Sequence, residues 1–164
     1  MQEAAFGAAV DRTGATRPHT VSASALIAAD PKRIYRILSD YRTGHPSILP
    51  PDFSDLVVEH GGVGEGTVIR FQMRLLGRTQ TFRAAVSEPE AGRVLVETDL
   101  DTNHAVTTFT VDPAGANGTR VTIATRLDTR SGILGPVERL ISTWVLRRIY
   151  VRQLEILAAV VGKP

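Results

Sequence analysis

The sequence predicts an α+β domain in which a curved antiparallel sheet of about seven strands wraps a long C-terminal helix. Three observations predict it. Apolar and polar residues alternate with period two along several short segments, most clearly in Thr67–Leu76, where Ile69, Phe71, Met73 and Leu75 oppose Arg70, Gln72 and Arg74. Turn residues separate those segments, and hairpin-linked strands pair antiparallel. From about Ile133 to Val161 nothing after Pro136 interrupts a helix, and Pro136 falls in its first turn.

Taken in order, Thr20–Ala28 is the first strand, with Val21, Ala23, Ala25 and Ile27 on one face. Asp30 is an N-cap for the helix that follows, since its carboxylate accepts from the orphan N–H groups of the first turn, and Pro31 fits the first helical position. Ile34, Ile37 and Leu38 form its apolar stripe, and it ends near Asp40. Gly44, Pro46, Pro50 and Pro51 allow only a short helical turn and then an irregular segment over Tyr41–Asp52. Strands follow at Phe53–His60, Thr67–Leu76, Thr79–Glu88 (Phe82, Ala84 and Val86 inward), Arg93–Leu100, His104–Asp112 (Phe109 and Val111 inward) and Thr119–Asp128 (Val121, Ile123, Thr125 and Leu127 inward). Leu76-Gly77-Arg78-Thr79 places Gly77 at the positive φ of a type II′ turn. The C-terminal helix, roughly 40 Å long at 1.5 Å per residue, has a wide apolar arc. Ile133, Val137, Leu140, Trp144 and Val151 share one face; Ile141, Val145, Ile149 and Ile156 share its neighbour. A helix gripped by a concave sheet needs such an arc.

With 164 residues, the chain is long enough for a core without staples. Residues 1–18 read as a flexible leader and 19–162 as the ligand-binding domain. Cysteine is absent, which excludes disulfides and thiolate metal sites and suits a reducing cytoplasm, the expected location. A formal net charge of +2 gives little support for a nucleic-acid face, and none is expected as a partner. No apolar run is long enough to span a bilayer; contact with a membrane surface through Arg139, Arg147, Arg148 and Arg152 is compatible with the sequence, as is a monomer or a homodimer. None of His19, His45, His60 and His104 has a partner at metal-ligand spacing, so no metal or cofactor is expected. There is no GxSxG elbow and no Gly-rich phosphate cradle.

A strongly curved sheet presents a concave face too wide for one helix to fill, and the space left over is a usual place for a small-molecule site. Phe71, Met73, Phe82, Phe109 and Trp144 are the expected lining. Arg148, four residues after Trp144, shares its face and is placed to hold a carboxylate or enolate. Tyr41 and His45, at the mouth, are the other candidate catalytic groups, and Thr98, Thr107 and Thr125 are candidate inner-face hydroxyls. The expected partner is a small hydrophobic or amphipathic molecule such as a lipid, isoprenoid or polyketide. A protein-interaction module using the sheet edge or helix surface is a further alternative.

The turn and cap residues carry a resemblance. Ala29-Asp30-Pro31 before Ile34-Tyr35-Arg36-Ile37-Leu38-Ser39-Asp40, Gly64-Glu65-Gly66-Thr67 opening a strand, Glu88-Pro89-Glu90-Ala91-Gly92-Arg93 at a turn and Gly118-Thr119-Arg120-Val121-Thr122 opening the last strand resemble the START-like, Bet v 1-like helix-grip superfamily over about residues 20–161. The resemblance implies the helix-grip fold and binding of lipids, sterols, polyketides or hormones. It adds a second functional expectation, a polyketide cyclase/dehydratase of the aromatase type. Many such proteins carry a Trp-Pro pair after the first helix; this chain has His45-Pro46.

Overall fold

The computed structural model describes residues 17–101, 105–116, 118–129 and 135–162, with the C-terminal helix's side chains described from Thr143 onward. His104, Asn117, Ile133 and the leader before residue 17 lie outside the described residues, as do the side chains of Val137, Arg139, Leu140 and Ile141.

The chain runs β1 (Arg17–Ile27), α1 (Pro31–Ser39), α2 (Gly44–Ser47), β2 (Phe53–His60), β3 (Val68–Leu75), β4 (Arg78–Glu90), β5 (Val94–Asp99), β6 (Val106–Pro113), β7 (Thr119–Thr129) and α3 (Gly135–Val161). The seven strands form one antiparallel sheet in the order β1-β7-β6-β5-β4-β3-β2. This is the helix-grip architecture. The chain's first strand lies beside its last, with Arg17 opposite Thr129 and Ile27 opposite Thr119.

Local chemistry sets the element ends. Asp30 Oδ1 accepts from Lys32 N at 2.8 Å and Arg33 N at 3.2 Å, and Pro31 opens α1. Asp40 closes it. The hairpin between β3 and β4 differs from the expected turn: Leu76 (φ 50°) and Gly77 (φ 78°) are both in the left-handed region and Leu75 pairs with Arg78, which is a type I′ loop rather than type II′. In β2 the register shifts between Ser54 and Val57, where Asp55 has φ 51°; this bulge bends the edge strand. The Gly64–Thr67 loop is tied to α1 through one side chain. Glu88 accepts from Glu65 N at 2.8 Å and from the Tyr35 hydroxyl at 2.6 Å. Gly64 has φ 59°, which favours glycine, and a Cβ there would lie 2.3 Å from Glu88 Oε2 and displace that carboxylate.

The core lies between the concave sheet face and the helices. Val21, Ile27, Ile69, Leu95, Phe109, Val111, Val121 and Ile123 meet Ile34 and Leu38 of α1 and a stripe of α3 comprising Leu146, Ile149, Tyr150, Leu154, Leu157 and Val161. Each aliphatic side chain so buried contributes roughly 1.5–3 kcal/mol. α3 lies mainly over β1 and β7, with α1 at its side. Of the α3 residues the sequence placed inward, Ile149 is buried, Val145 and Ile156 are half-buried, and Trp144 and Val151 are exposed; Leu146, Tyr150, Leu154, Leu157 and Val161 complete the buried stripe instead.

Candidate functional site

A groove of about 890 Å³ opens beside Trp144. One wall is the face of α3 opposite its buried stripe: Thr143, Trp144, Arg147, Arg148, Val151, Arg152 and Glu155. The other wall is Pro51 and Asp52, just before β2, with Arg74 of β3. Asp52 O accepts from Arg74 N at 2.8 Å, which fixes the two sides of that wall together. The Trp144 indole is 62% exposed, and the Arg148 guanidinium lies over its ring, 5.8 Å from the centroid. At the groove's edge Thr143 meets His19 of β1, Oγ1 to Nε2 at 2.7 Å, which anchors this end of α3 to the sheet.

A second group of polar side chains lies deeper. The Tyr41 hydroxyl donates to Glu97 Oε1 at 2.6 Å. His45 stacks on Tyr41 (ring centroids 4.5 Å apart, planes 16° from parallel) and meets Phe109 edge-on at 5.5 Å. Its Nδ1 is 2.7 Å from Leu38 O; a carbonyl only accepts, so Nδ1 carries a proton and Nε2 faces Glu97 Oε1 at 3.6 Å. Across the same row of the sheet, Glu97 is opposite Thr107 and Thr107 opposite Thr125. The Thr125 hydroxyl bonds Thr107 Oγ1 at 2.7 Å and the Tyr150 hydroxyl of α3. Burial, and then the negative Glu97 carboxylate, hold Tyr41 well above the ordinary tyrosine pKa. Burial pushes Tyr150 up to about 12, with the Thr125 hydrogen bond opposing. Both phenols are therefore protonated at neutral pH.

The matching family is described as "Polyketide cyclase / dehydrase and lipid transport", and its match runs over residues 18–162. The chain belongs to this family. The fold recurs in solved structures. The KanY protein, known from solution NMR, is 30% identical to this chain, with a TM-score of 0.78 over 90% of this chain and 99% of its own. The ZhuI aromatase/cyclase of Streptomyces sp. R1128 is 20% identical, with a TM-score of 0.74 over 88% and 94%. A START superfamily protein of Mycobacterium smegmatis is 19% identical, with a TM-score of 0.68 over 87% and 97%. No curated protein matches the chain.

Within this family member, the sequence candidates separate into three places. Trp144 and Arg148 line the groove, facing solvent rather than the sheet. Tyr41 and His45 come together around Glu97 in the core, 0% and 3% exposed. Phe71 and Phe82 stack at 5.6 Å on the half-buried part of the concave face, continued by Phe53 at 5.7 Å, while Met73 and Phe109 are buried. Thr107 and Thr125 belong to the polar row; Thr98 does not, because Leu95, Glu97 and Asp99 take the inward positions of β5. Glu97 itself escaped the sequence reading. Val94-Leu95-Val96 is apolar on both faces and hides the alternation that would have placed Glu97 inward. Among the described residues, no helix is long and apolar enough to cross a membrane, and no three His, Asp or Glu side chains gather as a metal site.

Proposed function

We propose that this protein binds a small amphipathic ligand in the groove between α3 and the wall of Pro51, Asp52 and Arg74. The observation that carries this is Trp144, a large apolar side chain left in water on the wall of an open groove. Exposed indole next to Val151 and Pro51 is surface that a ligand's apolar part covers with gain, roughly 25 cal/mol per Å² removed from water. The groove's volume is in the range of small-molecule sites. Trp144 is the chain's single tryptophan, so its emission reports on the groove directly. Titration with a panel of lipids, isoprenoids and aromatic polyketides should give a saturable emission change, and native mass spectrometry a one-to-one adduct. Protein that shows neither with any member of the panel has no such ligand site.

A polyketide cyclase/dehydratase activity is a second reading, supported by the family and by the Tyr41–Glu97–His45 group. A phenol held protonated and an imidazole within one side-chain layer are the donor and acceptor that aldol closure or water loss requires. It stands second because both groups are sealed in the core. The combined variant Tyr41→Phe, His45→Ala, Arg148→Ala should lose turnover of a poly-β-ketone substrate while keeping a native circular dichroism spectrum. Unchanged turnover would remove this reading.

A further inference from the structure

We infer that the ligand of this groove carries an anionic group, selected by Arg74, Arg147 and Arg148; the inference rests on the groove reading and deepens it. Four guanidiniums and two carboxylates line the groove, which leaves it at +2, as large as the formal net charge of the whole chain. The positive charge of this protein is thus concentrated where its tryptophan is exposed.

The pairing of arginines elsewhere makes the contrast. On the sheet, Arg70 and Arg83 reach Glu59 at 3.3 and 2.6 Å, and Arg93 reaches Glu90 at 2.5 Å and Asp112 at 2.7 Å. In the groove, Arg152 has only a distant partner in Glu155, at 3.9 Å. Among the described residues, Arg74, Arg147 and Arg148 make no ion pair. Arg148 and Arg152 stand four apart on the helix, a spacing at which like charges repel. Three neighbouring cations on one helix face, facing a fourth across the groove, form an arrangement that an anion relieves. Guanidinium forks suit carboxylate and phosphate oxygens, and the Arg148 guanidinium already lies over Trp144, 5.8 Å from its ring centroid. The apolar surface of Trp144, Val151 and Pro51 takes the rest of the molecule. The ligand class is an anionic amphiphile, either a free acid or the headgroup end of an anionic membrane lipid.

The experiment titrates the Trp144 emission with three amphiphiles of one chain length: dodecanoate, dodecanol and dodecyltrimethylammonium. Dodecanoate should bind about tenfold or more tighter than dodecanol, with the cation weakest. That ratio should fall toward one in Arg147→Gln, Arg148→Gln and with added salt. A parallel arm spins the protein with vesicles of phosphatidylglycerol or phosphatidylcholine. Pelleting with phosphatidylglycerol alone, lost in the same variant, makes the source a membrane headgroup; dodecanoate preference without pelleting makes it a free acid. Equal affinity for acid and alcohol, with no preference for anionic vesicles, overturns anion selection and leaves the groove reading standing. No emission change with any amphiphile overturns the groove reading itself.

Discussion

All three tyrosines of this chain are held as neutral phenols. Burial is the largest cause in each case, and the carboxylates of Glu88 beside Tyr35 and Glu97 beside Tyr41 add to it. The folded-state pKa values are thus raised above the unfolded value near 10. The folded protein keeps protons that the unfolded chain has released, so this stability is complete below about pH 10 and is lost as pH rises. For Tyr150 the window closes at about 12 and corresponds to about 2–3 kcal/mol; Tyr35 and Tyr41 shift in the same direction. Phenolate absorbance should appear together with loss of the native circular dichroism, in one transition above pH 10. A phenolate step near pH 10 in protein that stays native would contradict the burial argument. Glu97 supports a second expectation. Glu97→Ala strands the Tyr41 hydroxyl and should cost about 1–3 kcal/mol, whereas the same substitution in a Tyr41→Phe background should cost less. Additive costs in that double-mutant cycle would mean the two side chains do not interact. Tyr41 and His45 were legible as candidates in one short segment because only three residues separate them, at the start of one short helical turn. Their carboxylate partner lies 52 residues after His45 (position 97 against 45) and comes through sheet register, which no local pattern encodes.

The β3–β4 hairpin shows how far alternation reaches. A turn at Gly77-Arg78 and the observed turn at Leu76-Gly77 differ by a two-residue slide of one strand on the other. Such a slide keeps every side chain on its own face. The inward set of Ile69, Phe71, Met73, Phe82 and Ala84 was therefore readable, while the pairing of Phe71 with Phe82 was not. The observed register puts Leu76 at φ 50° with 68% of it exposed, so its backbone is strained with no packing in return. Leu76→Asn should raise stability by about 0.5–1 kcal/mol, since Asn tolerates the left-handed region and Asn-Gly is the preferred type I′ pair. Leu76→Val, β-branched at the same φ, should lower it. Urea unfolding of both variants against the parent checks the two signs, and a reversed order would count against the type I′ assignment. The α1 start, by contrast, was fully readable, because Asp30 and Pro31 act within one turn of the residues they serve.

At the scale of the molecule, two apolar lines run along α3 and only one is buried. Apolarity alone did not choose between them. Charge did: Arg147, Arg148 and Arg152 accompany Trp144 and Val151 and keep that line in water, while Leu146, Ile149, Tyr150, Leu154 and Leu157 face β1 and β7. The groove is the consequence. α3 sits toward one side of the concave face, and its outer line looks across at Pro51, Asp52 and Arg74. β1 is the element that holds it there, through Val21, Ala23 and Ile27 in the core and the His19–Thr143 hydrogen bond. A chain shortened to begin at Arg17 should melt within about 2 °C of the parent and keep the ligand response of Trp144, because it retains all of β1 with its pairing to β7 and the His19–Thr143 hydrogen bond. A chain shortened to begin at Ala28 should lose cooperative melting altogether. It leaves the edge of β7 unpaired along eleven residues and uncovers the apolar line of α3 that β1 seats. Cooperative melting in that shorter chain would show that α3 is held by β7 and α1 alone, and the groove would then have to be explained without β1.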